Sequence, residues 1–264
     1  MSAQSSDLHG QTEKPGMRVP GEAHRIIALR YRLAIELARG RRILEVGCGA
    51  GLGIEAMLQA SKSYVAGEFS NENIDILRKR WGNSLRLMRM DAHLLPFMPG
   101  SFEVVVALAM IYYLDLSRFI EGVRRILVPG GWLFFCTSNP DVPGFVPSPF
   151  TTSYYGVPAL SSVLAAYGFT KRLRGAFPSA GGSLLRRRCR AMIKNVAKSC
   201  VQSLPGGKRA WADWRNRLQG EHVPLPANVD PEIAAMEPIV DLDPMQADRR
   251  YRVIYVEARK AQSA

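Results

Sequence analysis

One stretch constrains this chain more than any other. Arg42-Ile-Leu-Glu-Val46 is short and apolar and runs straight into Gly47-Cys-Gly-Ala-Gly51. An apolar run bounded by glycine reads as a buried parallel strand. Glycines at 47, 49 and 51 let the backbone turn tightly and approach a ligand where a side chain would collide. Leu52 to Ala60 then has helical composition, so the unit is strand, loop, helix, with room at the loop for a nucleotide-like ligand. A dinucleotide fingerprint would need GxGxxG. Counted from Gly47 the third glycine position holds Leu52, and counted from Gly49 it holds Ile54, so the spacing fails in both registers.

The same alternation continues along the chain. A helix over Glu22 to Arg39 precedes the first strand. Tyr64 to Gly67 reads as a second strand, and Ser70 as the N-cap of a helix to about Arg80. Leu85 to Met88 and Glu103 to Ala109 follow as third and fourth strands. Ser117 to Leu127 reads as a helix stopped by Pro129-Gly130-Gly131, with Trp132 to Thr137 as a fifth strand. After a proline-rich loop from Pro140 to Pro149 come a helix over Pro158 to Tyr167, a sixth strand over Phe169 to Phe177 and a last strand over Tyr251 to Ala258, expected antiparallel to the sixth. The expected fold is α/β: a Rossmann-like, seven-stranded, mostly parallel sheet with helices on both faces. Residues 1–21 are expected to be a flexible N-terminus and 22–264 the domain, with 178–248 inserted as a basic, helical, lid-like element on the acceptor side.

The loop resembles the ExGxGxG signature of class I S-adenosylmethionine-dependent methyltransferases, beginning at Glu45, and further segments arrive in that family's order. Glu68, followed by Phe69, ends the second strand, where the resemblance implies an acid accepting the ribose hydroxyls. Asp91-Ala92 follows the third strand, at the family's adenine contacts. Backbone carbonyls near Ala107 and Leu108 end the fourth, at the methionine end, and Leu127-Val-Pro-Gly-Gly131 is the family's turn before the fifth. The resemblance spans about residues 40–177 and 250–260. It implies S-adenosylmethionine as cofactor, held by Tyr31, Glu45, Gly47, Cys48, Gly49, Gly51, Glu68, Phe69, Asp91, Ala92, Ala107 and Leu108.

Because the sulfonium carries an already activated methyl group, such an enzyme need not display a catalytic triad; orientation of the acceptor can suffice. Tyr112 is the expected acceptor-side catalytic residue. Adjacent tyrosines on an extended chain cannot both face one cleft, so Tyr113 is expected to pack away. Asn139 and Asp141 are further candidates, and His24 is placed on the leading helix beside Arg30 and Tyr31. Cys48 has no cationic neighbour in sequence to make it a nucleophile.

Composition adds one constraint. The net charge is +12, and much of it lies between Ser183 and Gln219, where ten cations face the single acid Asp213. On a helix, Leu185, Cys189, Met192, Ile193, Val196 and Cys200 would form a stripe between them, with Trp211 and Trp214 nearby. This suits an anionic small-molecule acceptor or peripheral contact with a membrane through 183–219, and suits nucleic acid less, since no RNA-binding module accompanies it. The four cysteines contain no CxxC pair, so neither metal nor disulfides are expected, and a cytoplasmic protein is. The expected activity is methylation of a sugar, glycan precursor or secondary metabolite on oxygen or nitrogen. The alternatives are an RNA methyltransferase and a non-catalytic cofactor-binding or membrane-associated partner.

Overall fold

Phe102-Glu-Val-Val-Val-Ala-Leu108 is almost wholly buried, as a strand covered on both faces must be, and the layers assemble around it. The computed structural model describes residues 13–148, 150–179 and 222–262. Its elements are β1 (Arg18–Pro20), α1 (Gly21–Ala38), β2 (Arg42–Val46), α2 (Ile54–Ala60), β3 (Ser63–Glu68), α3 (Asn71–Trp81), β4 (Leu87–Arg89), β5 (Phe102–Leu108), α4 (Leu116–Ile126), β6 (Leu127–Ser138), α5 (Val157–Ala166), β7 (Phe169–Pro178), β8 (His222–Pro224), β9 (Ile239–Asp241) and β10 (Tyr251–Lys260). Among them run short 3-10 turns at Gly82–Ser84, Ile111–Tyr113 and Pro231–Ala234.

The main sheet has the order β4-β3-β2-β5-β6-β10-β7-β9. Its first five strands are parallel, and β10 lies antiparallel between β6 and β7. All seven expected strands are there, and the described end of the insertion contributes an eighth, β9, paired antiparallel along β7. A separate two-stranded ladder joins β1 to β8, so residues just ahead of α1 are tied to the chain returning from the insertion. Residues 1–12 and the basic stretch 183–219 lie outside the described residues.

Local chemistry explains the elements. In α4, Leu116, Phe119, Ile120, Val123 and Ile126 recur at helical spacing and are buried, and Asp115 caps the first turn by accepting from the Arg118 N–H at 3.1 Å. Ser70 does the same for α3 through Asn73. The helix expected to end at Leu127 stops at Ile126. Leu127 is drawn into the sheet opposite Phe102 and fully buried, so β6 starts before the Pro-Gly-Gly turn instead of after it. One apolar cluster gathers α1, α2 and part of α3 on one face of the sheet, and a second gathers α4 and α5 on the other.

The polar centre of the first face is Glu45 in β2, which is fully buried. Its carboxylate accepts from the Tyr31 hydroxyl of α1 at 3.1 Å and from the Tyr64 hydroxyl of β3 at 2.5 Å. Burial pushes Glu45 above the usual carboxylate range, although both hydroxyls pull the other way. The folded state therefore favours the protonated form. Its contribution to stability is complete below the ordinary glutamate pKa and is lost as pH rises through the raised one. Glu45→Gln is expected to remove that pH dependence from the thermal midpoint. Glu45→Ala, which leaves two buried hydroxyls without a partner, is expected to cost roughly 2–4 kcal/mol in urea denaturation.

Candidate functional site

Chain order reverses between β2 and β5. From β2 the chain turns to β3 on one side and later returns to β5 on the other, which opens a crevice at the carboxyl ends of the strands. A cleft of about 730 Å³ lies there. Its floor is the glycine loop: Gly47, Gly49 and Gly51 all have φ between 58° and 81°, and the Gly47 and Cys48 amides both donate to the Gly67 carbonyl of β3. The fourth glycine, Gly53, serves packing, because a β-carbon there would run into the ring of Tyr31.

Tyr31, Gly47, Cys48, Gly49, Glu68, Phe69, Asp91, Ala92, Leu108 and Tyr112 line the cleft. Glu45, Gly51 and Ala107 do not. Glu45 is turned beneath the loop into its tyrosine pair, where its role is to fix α1 and β3 to β2. Gly51 packs against Leu77 and Ile54, and Ala107 is buried inside β5, one residue short of the rim. The chain leaves β5 through Ala109, a non-glycine residue at φ 54° that lines the cleft.

Glu68 is held by the loop it faces. One carboxylate oxygen accepts from the Gly49 amide and the other from the Ser70 amide, each at 2.8 Å. Each oxygen keeps a lone pair for a further donor. At the next strand Asp91 accepts from the amide and from Nδ1 of His93, at 2.8 and 2.9 Å, and His93 Nε2 accepts from the Asp115 amide at 3.0 Å. With Nε2 accepting from that amide, Nδ1 is the ring nitrogen that donates to Asp91.

The acceptor-side residues depart from expectation. Ile111–Tyr113 is a 3-10 turn, not an extended segment, so Tyr112 and Tyr113 both face the cleft, with ring centroids 4.7 Å apart. Tyr154 stacks on Tyr112 at 5.3 Å, and Phe145 on Tyr154 at 4.7 Å. Asn139 lies away from the cleft, donating to the carbonyls of Asp248 and Tyr251, and Asp141 packs against Gly156 at the start of α5. His24 is on α1 but off the cleft, with Nε2 buried and unpartnered.

The sequence reading missed the cleft's cation. Arg30 lines it with a side chain only 8% exposed, paired to Glu13 from the segment before β1, and its Nε has no partner. Burial disfavours its charge, but the Glu13 carboxylate beside it more than compensates, so the guanidinium stays ionised. One signal was present: Arg30 interrupts the buried stripe Ile27, Tyr31, Ala34, Ala38, where a cation needs a partner. Lys14, next to Glu13, reaches Glu72 on α3 at 2.5 Å, so the segment ahead of β1 is tied to both α1 and α3. If Glu68 anchors the loop as described, Glu68→Ala should speed hydrogen exchange at the Gly49 and Ser70 amides while leaving the β5 amides as protected as before.

Residues 44–135 match the model of a methyltransferase domain. The chain is 30% identical over 112 residues to a ubiquinone biosynthesis O-methyltransferase of Paraburkholderia phymatum, a match covering 40% of this chain and 48% of the relative. It is 36% identical over 127 residues to a phthiotriol/phenolphthiotriol dimycocerosates methyltransferase of Mycobacterium leprae, covering 46% of each. It thus spans about half the length of these curated relatives. The crystal structure of an S-adenosylmethionine-dependent methyltransferase from Thermotoga maritima, described as a possible histamine N-methyltransferase, shares the fold with a TM-score of 0.54, at 16% identity and covering 90% of this chain and 91% of that one. Strand order, glycine loop and matched domain agree: residues 44–135 carry a methyltransferase domain, in a sheet that shares the fold of S-adenosylmethionine-dependent methyltransferases.

Proposed function

We propose that this protein binds S-adenosylmethionine in the cleft at the ends of β2 to β5 and transfers its methyl group to a small molecule seated against Tyr112 and Tyr113. The observation that carries the reading is that one cleft collects a complementary group for each part of that cofactor. Glu68 offers acceptor lone pairs for vicinal hydroxyls, Asp91 and the Ala92 backbone flank the place of a base, and Arg30 offers a buried guanidinium. Arg30 already holds the carboxylate of Glu13, so its pocket takes a carboxylate sterically and electrically. The relatives named above are, by their names, methyltransferases of ubiquinone biosynthesis and of phthiotriol/phenolphthiotriol dimycocerosates, which supports a small-molecule acceptor.

When bound, the cofactor supplies a sulfonium-activated methyl group. The chain's contribution is then placement. The glycine loop and Glu68 hold the nucleoside, Arg30 fixes the amino-acid end, and the tyrosine pair confines the acceptor. Such orientation is worth on the order of 7–11 kcal/mol of barrier. Burial and the neighbouring Tyr113 keep the Tyr112 hydroxyl protonated far above neutral pH, so it serves as a hydrogen-bond donor and a wall.

Calorimetry tests the reading. S-adenosylmethionine should bind the full chain. Gly49→Arg, which puts a long side chain at φ 58° on the cleft floor, should abolish that binding. Glu68→Ala and Arg30→Ala should each weaken it by about tenfold or more, which is about 1.4 kcal/mol. Tight binding of NAD with none of S-adenosylmethionine would overturn it.

A further inference from the structure

Resting on that reading, we propose that Glu13 is a built-in competitor of the cofactor: its carboxylate holds the Arg30 guanidinium that the amino-acid end of S-adenosylmethionine must take, and it has to leave before that end can bind. Two donors of one guanidinium face two oxygens of one carboxylate, with Nη1 3.5 Å from Oε1 and Nη2 paired to Oε2. That is the side-by-side pairing an arginine offers to any carboxylate, a ligand's included. Glu13 and Arg30 both line the cleft, so the pair stands where a ligand comes and not in the core. Burial is unequal across it. The Arg30 side chain is 8% exposed and that of Glu13 36%, so the cation belongs to the wall while the anion is laid on it from the open side.

The chain ahead of β1 is built to hold that carboxylate near and still release it. Lys14-Pro-Gly-Met17 is a tight turn, closed by the Met17 amide donating to the Lys14 carbonyl at 3.1 Å, with proline second and glycine third at φ 79°, as a type II turn requires. Its far side is fixed by backbone. The Gly16 amide donates to the Leu225 carbonyl at 2.8 Å and the Leu225 amide to the Met17 carbonyl at 2.9 Å, next to the β1–β8 ladder. The near side reaches the protein through side-chain ion pairs, Glu13 with Arg30 and Lys14 with Glu72, the latter two 31% and 40% exposed. A pair as open to water as Lys14–Glu72 is weak. A short tether from a fixed base gives Glu13 a high effective concentration at Arg30. The cofactor then finds its guanidinium free in only a fraction of molecules, and its apparent affinity falls by that fraction. The nucleoside end meets no such rival, since Glu68 there is held by backbone amides. A ligand without an amino-acid end therefore escapes the competition.

Calorimetry on the full chain reads this out with two ligands. One is S-adenosylhomocysteine, which has the amino-acid end and lacks the sulfonium charge; the other is methylthioadenosine, which has the same nucleoside and no carboxylate. If the arm holds Arg30 roughly nine-tenths of the time, Glu13→Gln should tighten S-adenosylhomocysteine about tenfold and move methylthioadenosine by less than about twofold. In an Arg30→Met background Glu13→Gln should change neither. Lys14→Ala, which leaves the Arg30 pair in place but frees the arm from α3, should tighten S-adenosylhomocysteine alone, by a smaller factor. Should Glu13→Gln lack a cooperative thermal transition, Lys14→Ala carries the test, and no gain from it decides against the proposal. If S-adenosylhomocysteine binds neither the wild type nor any variant, the reading of the cleft falls and this proposal with it. Binding that Glu13→Gln weakens or leaves unchanged, or a gain shared equally by both ligands, overturns the proposal and leaves that reading standing.

Discussion

A carboxylate that never touches the cleft holds it in shape. Glu45 is fully buried, and a buried carboxyl group is tolerable only when it is satisfied by hydrogen bonds. Its two partners stand on different elements, Tyr31 on the leading helix and Tyr64 on β3, so satisfying it locks α1 over the ends of β2 and β3. Gly53 then admits the Tyr31 ring, and the neighbouring residue, Arg30, is carried to the wall of the cleft. The guanidinium that the described residues bring to that wall thus owes its position to a carboxyl group on the far side of the loop.

Much of the sheet was legible because its central strands are buried on both faces and so read as continuous apolar runs between glycines and caps. Arg42–Val46, Phe102–Leu108 and the Ser70 cap are where the pattern puts them. What escaped is short or distant in sequence. β1, β8 and β9 have three residues each, too few for any periodicity, and they exist because remote partners supply their hydrogen bonds. The tyrosine pair was judged on extended geometry, whereas the chain leaves β5 through a left-handed Ala109 into a 3-10 turn that rotates both rings the same way. Glu45 opens the recognisable motif, and position in a motif says nothing about which way a side chain turns. The Arg30–Glu13 pair joins residues 17 apart, and an arginine and a glutamate at that distance carry no signal of pairing.

The two ends of the cleft are built on opposite physical terms. At the ends of β3 and β4, backbone amides and carboxylates meet in a lattice that is nearly saturated internally, with Glu68 and Asp91 each engaged by the protein's own amides. That arrangement is preorganised and suits one invariant partner. Past β5, around Tyr112, Tyr113 and Thr151, the surfaces are rings, methyls and threonine hydroxyls, which discriminate mainly by shape and by desolvation.

The β1–β8 ladder has a consequence for how such a protein can change. The stretch between Ser179 and His222 departs from an anchored point, since the Ser179 amide bonds to the Arg250 carbonyl, and it returns at another, where His222 pairs with Pro20. Both fixed points rest on the sheet and on α1. Closing a longer excursion between the same two posts costs only about 0.6 kcal/mol for each doubling of its length. The two posts are therefore held by the sheet and by α1 whatever the length of chain between them, and a change in that length alters the closure entropy while the pairing residues stay the same.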